Sequence, residues 1–262
     1  MCIRDRPAPD GLQTRPTLNV CGETLSHRVT NHVQIFMTLT HYLALIIVPI
    51  LIGLWAQWRV KSAFGKYSQV RASSNVSGAQ AAREVLAAAQ IHDVEVVEIN
   101  GMLGDHYDPS SKRLCLSSAV YNTPSVAALG IAAHEAGHAI QHARHYAPLK
   151  ARMALVPITM VASNILYFIF IASWFFHFAG LFKIGFWCFL ALAAFQVITL
   201  PVEFDASARA KVILQNMGFI RSGEEVAGVN RVLDAAALTY VAALVATIGN
   251  LIYFFLLSRD RE

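Results

Sequence analysis

His134-Glu135-Ala136-Gly137-His138, within the run from Ser125 to His145, decides how the rest of the chain is read. A helical turn holds about 3.6 residues, so histidines four apart share one face and can bind the same ion. Glu135 follows the first of them and sits beside that ion. The flanking residues, Ser125-Val126-Ala127-Ala128-Leu129-Gly130-Ile131-Ala132-Ala133 before and Ala139-Ile140-Gln141-His142 after, contain no proline and predict one buried helix. Pro124 is expected to start it and Pro148 to close it. A catalytic zinc takes three protein ligands and keeps one position open for water, whose pKa falls to about 7. Glu135 is placed to take that water's proton, and His134 and His138 supply two ligands.

The surrounding composition is that of a membrane protein. In 262 residues, 55% are hydrophobic and mean hydropathy is +0.46, above the roughly 45–50% of an ordinary soluble domain. Net charge is +4, but Lys and Arg flank apolar runs rather than forming a stripe, which marks membrane topology and not nucleic-acid binding. Cys2, Cys21, Cys115 and Cys188 show no C-x-x-C spacing, so neither a disulfide framework nor a thiolate zinc site is expected.

Four apolar, charge-poor segments predict membrane helices at 33–56, 154–176, 184–202 and 235–257. Residues 1–32 lack periodicity and are expected to be a disordered tail, with Met37 a plausible alternative start. Trp55 and Trp58 end the first segment, and Arg59, Lys61 and Lys66 follow, which puts residues 57 onward on the cytoplasmic side. Between the first two spans, residues 57–153 form the polar folded part. Within it Ser77 caps a helix, Val94–Ile99 and Arg113–Ser117 are strands, and Asn100-Gly101 is a turn. His106 falls in the loop between the strands. An edge of this small sheet can receive an extended peptide by strand addition. The fold class expected is an α-helical membrane protein of about four spans carrying a small α+β zincin-like domain. Arg259 and Arg261, in the tail 258–262, run against the resulting topology.

Two crossings return the chain to the side of the histidine helix, so residues 203–234 emerge where a third ligand is needed. The longer motif H-E-x-x-H-x-x-G-x-x-H fails, because Gln141 and Arg144 stand at its glycine and last histidine. His142 shares the helix face but cannot close a tetrahedron from one straight helix, and His177 lies across the membrane. Glu203, just after Pro201 at a span's end, is the best placed carboxylate, since an ionised side chain there is costly unless paired or coordinated. Asp205 is the alternative, as ligand or as a partner orienting a histidine. Oxyanion donors are sought among His106, Tyr107 and Tyr240.

Taken together, His134 to Gln141, Asp105-His106-Tyr107-Asp108-Pro109 and Thr199-Leu200-Pro201-Val202-Glu203-Phe204-Asp205-Ala206-Ser207 resemble the putative neutral zinc metallopeptidase family of bacterial membranes. Tyr121-Asn122, Leu149 and the run Leu233 to Tyr240 fit the same pattern, and the similarity covers roughly residues 40 to 258. The resemblance implies one Zn2+ per chain held by His134, His138 and Glu203, with Glu135 as base. It further implies a peptide or protein substrate and a place in the bacterial cytoplasmic membrane with the site facing the cytoplasm. More distantly the chain is similar to four-span gluzincin proteases, in which an Asp often follows the zinc-binding Glu by four residues; here that position is Ser207. A zinc-stabilised, non-catalytic scaffold is the rival expectation. A transporter would place ionisable groups within the spans, which hold almost none beyond His41.

Overall fold

The computed structural model describes residues 44–45, 47–101, 104–175 and 179–259. Chain contacts separate Met1–Ala44 from Leu45–Glu262, and the second unit carries every element below. The expected tail 1–32, most of the expected first span before residue 47, and His177 lie outside the described residues.

Helix α1 runs through 47–67. It is followed by α2 (Gly78–Ala88), β1 (Glu95–Ile99), β2 (His106–Asp108), β3 (Arg113–Ser117), α3 (Ser118–Tyr121), α4 (Val126–Ala143), α5 (Ala147–Phe175), α6 (Ala179–Asn216) and α7 (Gly223–Arg259). The protein is mostly helical, with one small sheet. Ser77 and Ser125 cap α2 and α4, accepting from the N–H groups of Gln80 and Ala128. Each such cap stabilises its helix by about 1 kcal/mol.

The sheet order is β1-β3-β2, with β1 parallel and β2 antiparallel to β3. His106 is therefore on an edge strand, not in a loop. Three residues, only one of them hydrophobic, are too short a run for alternation to reveal. Pairing of His106 with Cys115 and Asp108 with Arg113 fixes the register, and among the described residues no strand pairs with the far edge of β2.

Helix α4 is buried on nearly all sides, packed against α2, α6 and α7. Its alanines let neighbouring helices come close, and Gly137 marks the closest approach. A Cβ built there would stand 3.0 Å from the Ala206 carbonyl oxygen and 3.3 Å from its Cα. That contact sets α6 directly over the histidine motif. Pro148 does not terminate α4. The helix ends earlier, where His145 turns left-handed (φ 52°) and the Tyr146 N–H donates to the Gln141 carbonyl at 2.9 Å, the closing bond of a Schellman turn. Pro148 instead lies in the first turn of α5, where a missing N–H leaves nothing unbonded.

Among the described residues, three helical stretches are long and apolar enough to cross a membrane: Ala147–Ile169, Lys183–Asn216 and Gly223–Leu256. Ile158, Met160, Tyr167 and Phe168 of α5, Ile184, Trp187 and Val197 of α6, and Ile248, Ile252 and Phe255 of α7 are exposed. Such a girdle of exposed apolar side chains suits lipid, not water. Although a span is expected to end at 202 and a separate segment to begin at 203, α6 passes through Pro201 and Glu203 unbroken. Proline is tolerated within apolar helices of this kind because local adjustments and neighbouring groups satisfy the freed carbonyl. The same helices that carry the apolar girdle thus continue into the polar half, where Ala210, Leu214, Val229, Val232 and Leu233 join the main core.

Candidate metal centre

Helices α4 and α6 bring His134, His138 and Glu203 together, and their candidate ligand atoms all lie within 4.8 Å of one another. Glu203 Oε2 is 3.3 Å from His134 Nε2 and 3.6 Å from His138 Nε2. Bonds of about 2.0–2.1 Å to a tetrahedral zinc put neighbouring ligand atoms roughly 3.3–3.4 Å apart; the first separation falls in that range and the second is slightly wider. Glu203 is only 1% exposed, and its Oε2 is buried with no hydrogen-bond partner. A bare carboxylate oxygen in such a place is costly unless a cation meets it. The other oxygen, Oε1, accepts from Arg152 Nη1 at 2.9 Å. One oxygen is thus tied to α5 and the other left facing the two imidazoles. The donor set, two neutral nitrogens and one carboxylate, suits zinc better than calcium or magnesium.

The far sides of both imidazoles are held. His138 Nδ1 lies 3.0 Å from Gln141 Oε1. Gln141 Nε2 donates to the Val202 carbonyl and to Asp205 Oδ2, both at 2.8 Å. Those two acceptors fix the amide's orientation, so its oxygen faces His138 and Nδ1 carries the proton. The Nε2 lone pair is then free for a metal. Asp205 is in turn gripped by Arg209 through Nε at 2.6 Å and Nη2 at 3.1 Å. Asp205 therefore stands outside the His134–His138–Glu203 cluster and is joined to His138 through Gln141. Burial opposes a charged His138, yet the Glu203 carboxylate 3.6 Å away and the nearby Glu135 carboxylate raise its pKa above the usual histidine value. His134 Nδ1 has Ser207 Oγ at 3.2 Å, so the position four after Glu203 does meet a histidine, with a hydroxyl in place of a carboxylate.

Glu135 is buried beside the triad, and its Oε2 accepts from the Tyr107 backbone N–H at 3.0 Å. This bond, with the Tyr107 hydroxyl 2.8 Å from His142 Nδ1, fastens edge strand β2 against α4. Burial, assisted by the Asp93 and Asp108 charges, pushes Tyr107 up to about 12, so the phenol stays protonated. His142 serves this clamp and stands apart from the ligand cluster. Asp108, held well below the usual carboxylate range by hydrogen bonds from Ser110 and Ser111, closes the turn between β2 and β3.

The cradle has a cavity on either side. One, about 190 Å³, lies among α1, α4 and α7 and is lined by Val60, Phe64, Ile131, Leu233, Ala236 and Ala237 as well as His134 and Glu135. The other, about 240 Å³, is lined by His106, Tyr107, His138, Arg152 and Met153. Asp105, Glu135, Glu203 and Tyr240 border both. Tyr240 and His106 thus reach the cleft. Sequence reasoning did not reach Arg152, Gln141 or the part played by Ser207. A glutamine three residues after His138 on an otherwise apolar buried helix was a readable signal. Arg152 gave none, because its contact joins two helices 51 residues apart.

A family model described as "Putative neutral zinc metallopeptidase" matches residues 42–259. Over 224 residues the chain is 44% identical to "Putative membrane protease YugP" of Bacillus subtilis (strain 168), covering 84% of this chain and 99% of that protein. No solved structure matches.

Proposed function

Since the chain belongs to the neutral zinc metallopeptidase family whose model spans residues 42–259, we propose that it is a membrane-embedded zinc endopeptidase that cuts unfolded or membrane proteins at the membrane surface. The observation that carries this reading is the buried, partnerless Glu203 Oε2 facing the Nε2 atoms of His134 and His138, with Glu135 alongside. Zinc held by these three side chains would supply Lewis acidity toward the scissile carbonyl and a water of lowered pKa.

The chain's own groups do the rest. Glu135 takes a proton from the attacking water and passes it to the departing amine. The Tyr107 N–H bond occupies its Oε2, so the proton travels on Oε1. Arg152 holds Glu203 Oε1, so that only Oε2 faces the histidines. The open edge of β2 lies beside Glu135, where an extended peptide added as a further strand would pass across the cleft. Tyr240 and His106 border that cleft and are the candidate donors to the developing oxyanion. Arg59, Lys61 and Lys66 at the end of α1 support a cytoplasmic site in a four-span bacterial inner-membrane protein.

The test compares detergent-purified wild type with Glu135→Gln on unfolded casein. Cleavage by wild type, reduced by about a thousandfold or more in the variant, supports the reading. Undiminished cleavage by Glu135→Gln, or none by zinc-loaded wild type, counts against it; the second result would favour a scaffold.

A further inference from the structure

The 190 Å³ lobe between α1 and α7 has an apolar wall and opens onto the metal cradle. We propose that this lobe is the specificity subsite, taking one large aliphatic or aromatic side chain of the residue beside the scissile bond; this rests on the peptidase reading above.

Three observations carry it. First, Phe64, Ile131, Leu233, Ala236 and Ala237 make the wall, while His134, Glu135 and Glu203 stand at its mouth. Asp105, which borders both lobes, adds a charge to those of the cradle, but its carboxylate already accepts from the Ser117 N–H at 2.7 Å and hydroxyl at 3.0 Å. A polar substrate side chain would find little there to bond.

Second, the lobe is a built space. Helices α1 and α7 run antiparallel and touch at two glycines. A Cβ at Gly249 would lie 3.2 Å from Pro49 Cγ, and one at Gly228 would lie 2.7 Å from the Tyr67 ring. Val60 and Phe64 face Leu233 to Ala237 between these contacts, so the gap is pinned at both ends. Its volume would hold about six waters at roughly 30 Å³ each, and one leucine or phenylalanine side chain would displace them. Val232, Ala236 and Tyr240, four residues apart, share a face of α7, and Ala236 sets the depth.

Third, the lobe on the other side of Glu135 mixes His106, Tyr107 and Arg152 with Leu149, Met153 and Val156, so the purely apolar wall belongs to the α1–α7 lobe. Apolar selection is therefore expected to be stronger on the α1–α7 side of the cut bond.

The experiment has two readouts. Products of unfolded casein cut by the zinc-loaded, detergent-purified protein are mapped by mass spectrometry. Leu, Ile, Met or Phe is expected at one fixed position beside the cut. Ala236→Phe should lower cleavage at those sites by about tenfold or more, while sites with Gly, Ala or Ser at that position survive. Phe64→Ala, which widens the lobe, should move preference toward Trp and serves if Ala236→Phe does not fold. Separately, two synthetic peptides differing only in Leu or Gly at that position are titrated into Glu135→Gln protein, with about tenfold tighter binding of the Leu peptide expected. Absence of side-chain preference in both readouts, or a preference unchanged by both lobe variants, overturns the subsite. Leu-selective binding without any cleavage by wild type keeps the subsite and overturns the peptidase reading instead.

Discussion

Helix α6 meets a glycine contact at each of its ends, and the two are unlike. At the metal end Gly137 of α4 faces the backbone of α6, with the Ala206 carbonyl oxygen 3.0 Å from where a Cβ would stand. At the membrane end Gly185 of α6 faces the ring of Phe254, a side chain. A ring can rotate away, whereas a backbone carbonyl in a helix moves only if the helix moves. The neighbours follow the same division. Val202, Ala206, Ala210 and Leu214, spaced by four, are all fully buried, while Ile184, Trp187 and Val197 lie exposed. One helix is therefore fixed by close-packed protein where Glu203 must meet two histidines, and loosely bounded where it meets lipid.

Breaking the tight contact should have the largest effect. Gly137→Ala would push α6 off α4 and pull Glu203 Oε2 away from the imidazoles. Overpacking of this kind costs about 1–3 kcal/mol, and an ångström of misplacement costs about a hundredfold in rate. Thermal unfolding together with casein cleavage would measure both. The metal end is sharpened further by its orienting partners. Gln141→Leu removes the acceptor of His138 and its link to Asp205, so zinc affinity, read by competition with a chelator, should fall by about 10- to 100-fold. Ser207→Ala removes a single bond of 3.2 Å, and affinity should fall by less than about tenfold. Smallest of all for the site is Gly185→Ala. It should cost stability as Phe254 repacks, by about 1–3 kcal/mol, with zinc content and cleavage per folded molecule unchanged. Loss of zinc in Gly185→Ala and not in Gly137→Ala would reverse the contrast drawn here.

What was legible follows the same line. The helical spacing of His134 and His138, the serine cap of α2 and the β-branched run of β1 are local patterns, and these elements formed where expected. Glu203 could be found because a carboxylate at the end of an apolar run demands a reason. Strand β2 could not, since three residues carry no period and their structure comes from pairing with β3. The continuity of α6 through Pro201 was hidden because proline's local penalty is overridden by an environment that the sequence does not display. Arg152 and the Gln141–Asp205–Arg209 chain depend on which helices cross, a fact set by Gly137 and its neighbours only once the fold exists.

The central claim is that Glu203 completes a three-residue metal centre. Elemental analysis of zinc per chain in wild type and Glu203→Gln, each purified folded in the same detergent, tests it most directly. The account predicts one zinc in the wild type and a near-complete loss in the variant, with cleavage lost alongside. Retention of full zinc by Glu203→Gln would contradict it.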